Sequence, residues 1–248
     1  MLNNKIALIT GASTAIGLAT IEKFLGEGAT VIATGKKTDE INKFSSNFSF
    51  IECDITSEES IKKVCEQVEK EHEKLDCLVT ICEKRFRGGV TDINSDEFIE
   101  ASKHIVMAPI LFTKFCNEML HKSENPSITH DVPMDSYMTE KDFLNSSLNT
   151  SVINYTRQCA PQIRPVRINS VLFGIIKGHL RTDEEIAVFE TPERLAKIPA
   201  GRLGEPMDVA NLNAFLASDK ARYLNTGAWA VDGGYYTQNP RSMGNNGI

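Results

Sequence analysis

Eight residues near the start, Thr10-Gly11-Ala12-Ser13-Thr14-Ala15-Ile16-Gly17, constrain this chain most. They join an apolar, strand-like run (5–9) to a segment of helical periodicity (16–26). A tight turn from strand to helix needs a residue tolerant of positive φ, and a helix packed closely on its strand needs one without a side chain at the contact. Gly11 and Gly17 stand at those positions. Between them, where a third glycine would let backbone approach a pyrophosphate, stands Ala15, whose methyl group points toward the anion. The helix N-terminus persists as an anion site with narrower access. Gly11, Ser13 and Ile16 are the loop's candidates for dinucleotide contact.

The rest of the chain repeats the order of strand and helix. Strand-like runs at 5–9, 30–33, 49–52 and 77–81 alternate with amphipathic segments at 16–26 and 58–73. The second half continues with helices over 95–120, 141–159 and 207–217 and strands at 127–129, 166–171 and 228–231. Each return to the same sheet edge requires a right-handed crossover, so the sheet is expected to be parallel. The expected fold is therefore α/β, a doubly wound Rossmann sheet with helices on both faces. No linker divides the 248 residues, which gives one domain over 1–236 and a C-terminal tail over 237–248. Helix 141–159 carries Leu144, Leu148, Val152, Tyr155 and Cys159 on one stripe, a spacing that fits core packing or a subunit interface.

Charge and cysteine usage exclude several classes of function. With 27 Lys+Arg against 33 Asp+Glu the formal charge is −6, and no basic run is long enough to neutralise a phosphate backbone, so nucleic acid is not an expected partner. No basic leader, long apolar leader or membrane-length apolar run is present, so a cytoplasmic protein without a membrane partner is expected. The six cysteines form no CxxC pair and the five histidines no ligand spacing, so no metal site is expected. At the end of the second strand, Lys36 and Lys37 stand where an acidic residue would hold a ribose 2′-hydroxyl. Two cations there favour a 2′-phosphate, and hence NADP, or are simply a solvated basic turn.

Three further sets of residues carry a family resemblance: Asn4-Lys5-Ile6-Ala7-Leu8-Ile9-Thr10-Gly11-Ala12; Cys53-Asp54-Ile55-Thr56 with Asp76-Cys77-Leu78-Val79; and a C-terminal set. That set runs Ile198-Pro199-Ala200-Gly201-Arg202-Leu203-Gly204-Glu205-Pro206, then Phe215-Leu216-Ala217-Ser218-Asp219, then Thr226-Gly227 through Val231-Asp232-Gly233-Gly234. Over nearly its whole length the chain resembles the short-chain dehydrogenase/reductase family. The resemblance implies a seven-stranded parallel sheet, NAD(P)-dependent interconversion of alcohols and carbonyls, dimers or tetramers, and cofactor contacts at Asp54 and Ile55. It also implies a proton relay of Tyr, Lys, Ser and Asn.

Each relay position is altered here. The family's Asn-Asn-Ala-Gly aligns with Thr80-Ile81-Cys82-Glu83, which puts an anion beside the nucleotide. The relay Asn falls on Ile105, with His104 beside it placed on another face. The catalytic Ser falls on Val132, and Tyr-x-x-x-Lys falls on Asn145-Ser146-Ser147-Leu148-Asn149, two amides with no proton to exchange near neutral pH. A literal Tyr-x-x-x-Lys, Tyr137-Met138-Thr139-Glu140-Lys141, lies just upstream, either a displaced pair or a coincidence of a polar loop.

Taken together, the substitutions lead to an expectation of a catalytically inactive subunit, with NADP absent or weakly bound. It would assemble with itself or with an active paralogue, as in heteromeric members of the family in which one subunit lacks the catalytic residues. Two alternatives stay open: an NADP-dependent oxidoreductase with an atypical site, using Tyr137 and Lys141 or other residues, and a nucleotide-sensing binding module.

Overall fold

The computed structural model describes residues 1–44, 46–86, 88–134 and 143–237. Seven strands, all parallel, form one sheet in the order β3-β2-β1-β4-β5-β6-β7. They are β1 Ile6–Thr10, β2 Thr30–Gly35, β3 Phe48–Glu52, β4 Cys77–Ile81, β5 Ser127–Pro133, β6 Arg167–Phe173 and β7 Ala228–Val231. Alternation along the strands sends side chains to opposite faces. Ile9, Val31 and Val79 meet one apolar cluster with α1 (Ala15–Gly26) and α8 (Pro206–Ala217). Leu8, Ile32, Leu78 and Ile128 meet the other, with α2 (Glu58–His72) and α4 (Ala108–His121). The doubly wound reading of the sequence is what forms.

Local signals set the helix starts. Thr14 caps α1 by accepting the Gly17 N–H at 3.0 Å, and Ser57 caps α2 through the Ser60 N–H at 3.3 Å. The C-terminal motif serves the same purpose for α8. Arg202 holds Asp208 through two bonds of 2.7 and 3.0 Å, and the Asp208 carboxylate returns to the Glu205 N–H.

Three features differ from the sequence reading. The single helix expected over 95–120 is α3 (Ser95–Ser102), a π turn (Lys103–Met107) and α4. Pro109 has no N–H to continue an α-helical ladder, and the Ala108 N–H bonds instead to Lys103 O, five residues back. β5 extends four residues past the expected Thr129, through polar residues that hide a strand from periodicity. Between β6 and α8, where the sequence reading places no helix, lie the short helices α6 (Asp183–Phe189) and α7 (Pro192–Leu195).

Helix α5 is described over Phe143–Cys159, and its stripe residues Leu144, Leu148 and Val152 are buried against β5 and β6 residues Val132 and Leu172. Those three make core contacts. Among the described residues no helix is long and apolar enough to cross a membrane, and no cluster of metal-ligating side chains forms.

Candidate functional site

The strand order reverses between β1 and β4, and in open parallel sheets the crevice beyond the strand ends at such a point receives ligands. The Thr10–Gly17 loop lies there. Gly11 has φ +72°, and a Cβ on it would stand 2.9 Å from the Ile81 Cβ. A Cβ on Gly17 would stand 2.0 Å from Gly11 O, so close contact of helix and strand requires glycine. Ser13 is half-buried in the loop and Ile16 is buried in α1. Ala15 meets the segment after β6, since a Cβ on Gly178 would lie 3.7 Å from the Ala15 Cβ.

Glu83, just past β4, leans into this loop. Its Cγ would lie 3.4 Å from a Cβ on Gly11, and its Oε1 3.4 Å from one on Gly35 at the end of β2. Burial pushes its carboxyl up to about 7, against the opposing effect of the Gly11 N–H. Lys36 and Lys37 follow Gly35 and are exposed. Asp54 accepts from the Thr56 N–H at 2.9 Å and the Thr56 hydroxyl at 2.7 Å, which hold its pKa down and fix the turn into α2. Ile55 beside it is buried.

On the other side of the crevice, Ile55, Ile105, Val132 and Asn149 line one small cavity of about 20 Å³ with Thr80 and His130. Three of the four altered positions, Ile105, Val132 and Asn149, therefore lie around one cavity, and Asn145 is not among its lining residues. Val132 is buried on β5 among Ile105, Leu148 and Val152. Asn145 is buried and both ends of its amide are engaged: Oδ1 accepts the Phe86 N–H at 3.0 Å and Nδ2 donates to Phe86 O at 2.6 Å. Asn149 donates to Asn145 O at 2.8 Å, and its Oδ1 is buried without a partner among the described residues. Tyr137 and Lys141 lie outside the described residues.

Four polar residues escaped the sequence reading as site candidates. His104, expected on another face, lines the cavity beside Ile105 because the π turn re-registers that segment. His130 lies on β5 with Nδ1 2.7 Å from the Thr80 hydroxyl, and burial drives its pKa down to about 3. Its neighbour Asp131 points to the opposite face and accepts from Asn213 Nδ2 at 2.6 Å. Burial pushes that carboxyl up to about 8, with Asn213 opposing. His179, after β6, sits edge-on to Phe173 with centroids 5.0 Å apart, neutral through burial. A signal was present: a central parallel strand normally reads as a continuous apolar run, and Thr129-His130-Asp131 breaks it.

The chain belongs to the short-chain dehydrogenase/reductase family. Residues 11–236 match the family described as enoyl-(acyl carrier protein) reductase. Among relatives, the chain is similar to the NADP-dependent (R)-specific alcohol dehydrogenase of Lentilactobacillus kefiri, 27% identical over 96% of this chain and 98% of that enzyme. It is similar also to the 3-oxoacyl-[acyl-carrier-protein] reductase of Escherichia coli (strain K12), 29% identical over 94% and 97%. Among solved structures, the aldohexose dehydrogenase of Thermoplasma acidophilum superposes with a TM-score of 0.86, at 27% identity over 96% of both chains.

These likenesses correct two expectations. An inactive subunit, and a cofactor absent or weakly bound, were inferred from the substituted positions. Yet the relatives that match over nearly the full chain are oxidoreductases, one of them NADP-dependent. The open alternative, an NADP-dependent oxidoreductase with an atypical site, is the reading they support.

Proposed function

We propose that this chain is an NADP-dependent oxidoreductase interconverting an alcohol and a carbonyl compound. The observation that carries the reading is the Gly11 and Gly17 turn at the sheet's reversal point, where a Cβ would collide with Ile81 or with Gly11 O, so that α1 packs tightly on the strand with its N-terminus at the crevice. A strand-to-helix turn of this kind is the one that receives a dinucleotide pyrophosphate in doubly wound sheets. The first-turn N–H groups of α1 would face the pyrophosphate beside Ser13 and Ile16, and Lys36 and Lys37 would hold the 2′-phosphate. When bound, NADPH supplies the hydride. The relatives' named activities support the same class of reaction.

The chain's own part is to orient the carbonyl and deliver a proton to its oxygen. Val132, Asn145 and Asn149 carry no acid or base for that step, and the Asn145 amide is committed to the Phe86 backbone. Tyr137 and Lys141 form the sequence's one Tyr-x-x-x-Lys, and in the chain they lie between Val132 and Asn145. We assign the donor role to that pair, with Lys141 favouring the ionised tyrosine.

The test is NADPH binding by fluorescence, followed by turnover with aliphatic ketones, 3-oxoacyl thioesters and aldoses. Saturable binding on the order of micromolar Kd with reduction of at least one class is expected. Binding without turnover of any would point to a nucleotide-sensing module and overturn the proposal. Tyr137→Phe should lower kcat by about 100-fold; an unchanged rate would remove the pair from the site while leaving the oxidoreductase reading intact.

A further inference from the structure

The residues that follow β6 reach back past β5 and β4 to the nucleotide loop after β1. A Cβ on Gly178 would stand 3.7 Å from the Ala15 Cβ. Because a bond from Cα is about 1.5 Å long, the Gly178 Cα itself lies within about 5.2 Å of that methyl. An atom held between two carbons at ordinary contact needs them about 7 Å apart. Nothing the size of a phosphate fits between Ala15 and Gly178 as they stand.

Next to that contact His179 is 2% exposed, and both of its ring nitrogens are buried without a hydrogen-bond partner among the described residues. The ring stands edge-on to Phe173 with centroids 5.0 Å apart, and burial keeps it neutral against the pull of the Cys82 backbone after β4. A neutral imidazole has one N–H to donate and one lone pair to fill, so this burial forgoes two hydrogen bonds that water would supply. The next residue adds strain. Leu180 has φ +58°, a left-handed conformation that a side chain disfavours, whereas Gly178 bears φ +66° at no such cost. Firm anchors lie on either side. The Lys177 N–H donates to Gly204 O at 3.0 Å and its ammonium meets Glu190 and Glu205 at 3.0 and 3.3 Å, while Thr182 caps α6 by accepting the Glu185 N–H at 3.3 Å. The strained residues are the ones between these anchors.

We propose that residues 178–181 form an autoinhibitory latch, in which Gly178 and His179 close the nucleotide loop and NADP enters by displacing them. The proposal rests on the oxidoreductase reading, which supplies the ligand. The contact excludes the dinucleotide rather than enclosing it, so the cofactor binds by opening the latch. Leu180 on the apolar cluster of α1 and α8, and the ring edge on Phe173, hold it shut. The two orphaned nitrogens and the left-handed Leu180 raise the energy of the closed form, which brings opening within reach of one ligand's binding energy. The apparent affinity is then the intrinsic affinity reduced by the fraction of protein that is open.

Locking the latch tests it. The spacing of Ala15 and Gly178 falls in the Cβ···Cβ range of a disulfide, about 3.5–4.5 Å, so Ala15→Cys combined with Gly178→Cys should bridge in a glutathione redox buffer. The bridged protein should bind NADPH about 100-fold more weakly, or worse, than the same protein after dithiothreitol. The wild-type chain in the same buffer controls for its own six cysteines. A pair that does not bridge, or a bridged protein that binds as the reduced one does, would overturn the latch. Stopped-flow fluorescence gives an independent reading. His179→Ala removes the lodged ring and should speed NADPH association and tighten binding by about fivefold or more. His179→Phe keeps a ring against Phe173 without the orphaned nitrogens, and should slow association and weaken binding. Equal association rates in the three proteins would contradict the latch. NADPH binding to none of the reduced proteins would remove the oxidoreductase reading and the latch together, whereas binding to all of them with no loss on bridging would remove the latch alone.

Discussion

The Asn145 amide closes a two-bond ring on the backbone of Phe86, accepting its N–H at 3.0 Å and donating to its carbonyl at 2.6 Å. It ties the segment after β4 to the first turns of α5 at a position where the family resemblance would place an acid/base group. Asn145→Ala should therefore cost stability, by about 1–3 kcal/mol, because both Phe86 groups lose a partner in a partly buried site. Urea unfolding should show a lower midpoint at unchanged slope. A midpoint equal to wild type would mean that the ring holds nothing.

Asp131 should make the fold less stable as pH rises. Its ordinary pKa is 3.8 and its folded value about 8, so the folded chain keeps a proton that the unfolded chain releases. Its contribution is most favourable below about pH 4, falls through the interval to about pH 8 and is level beyond. Asp131→Asn retains an amide partner for Asn213 and should remove that slope, raising stability at pH 8 by on the order of a few kcal/mol. Denaturant titrations of both proteins at pH 5 and pH 8 measure it, and parallel losses in the two would contradict the assignment.

His130 and His179 impose the opposite limb. Each has its pKa lowered to about 3 by burial, so each resists charging in the fold and takes up protons readily when unfolded. Stability should be lost as pH falls from about 6.5 toward 3, with a maximum between the acid and alkaline limbs. Replacing His179 by Phe, against the edge of Phe173, should flatten the acid limb in a thermal scan.

Glu83 should set the pH dependence of cofactor affinity. Its carboxyl ionises near pH 7 against the loop that would receive the dinucleotide phosphates, so the negative charge appears as pH rises from 6 to 8. NADPH should bind about fivefold more weakly at pH 8 than at pH 6 if the charges interact at partly screened range. Fluorescence titration of Glu83→Gln should give a flat profile.

Lys36 and Lys37 should set the choice of cofactor. Both are exposed at the end of β2, beside Gly35. Replacing both by Ala should weaken NADPH by about tenfold or more and leave NADH nearly unchanged, since only the first carries a 2′-phosphate. Equal losses for the two nucleotides in parallel titrations would show that the lysines merely add to the general field.

The fold was legible because its cues are local. Gly11 and Gly17 mark a strand-to-helix turn, and apolar runs of strand length alternate with amphipathic segments. The positions Ile105, Val132 and Asn149 could also be set in register from sequence, and they meet around one cavity. The end of β5 was not legible, because the His130 and Asp131 side chains are partnered by Thr80 and Asn213, 50 or more positions away. A pattern of local hydropathy cannot register such partners.

The sequence by itself determined the sheet, its parallel order and the dinucleotide loop, since each depends on backbone preference and the period of apolar residues within a few turns. Tertiary structure alone decided that Glu83 leans on Gly11, that Asn145 is bound to Phe86 and that His104 faces the cavity. The first two follow from packing between elements distant in the chain. The third follows from Pro109, whose missing N–H lets the helix widen by one residue at Lys103–Met107 and turns an imidazole inward.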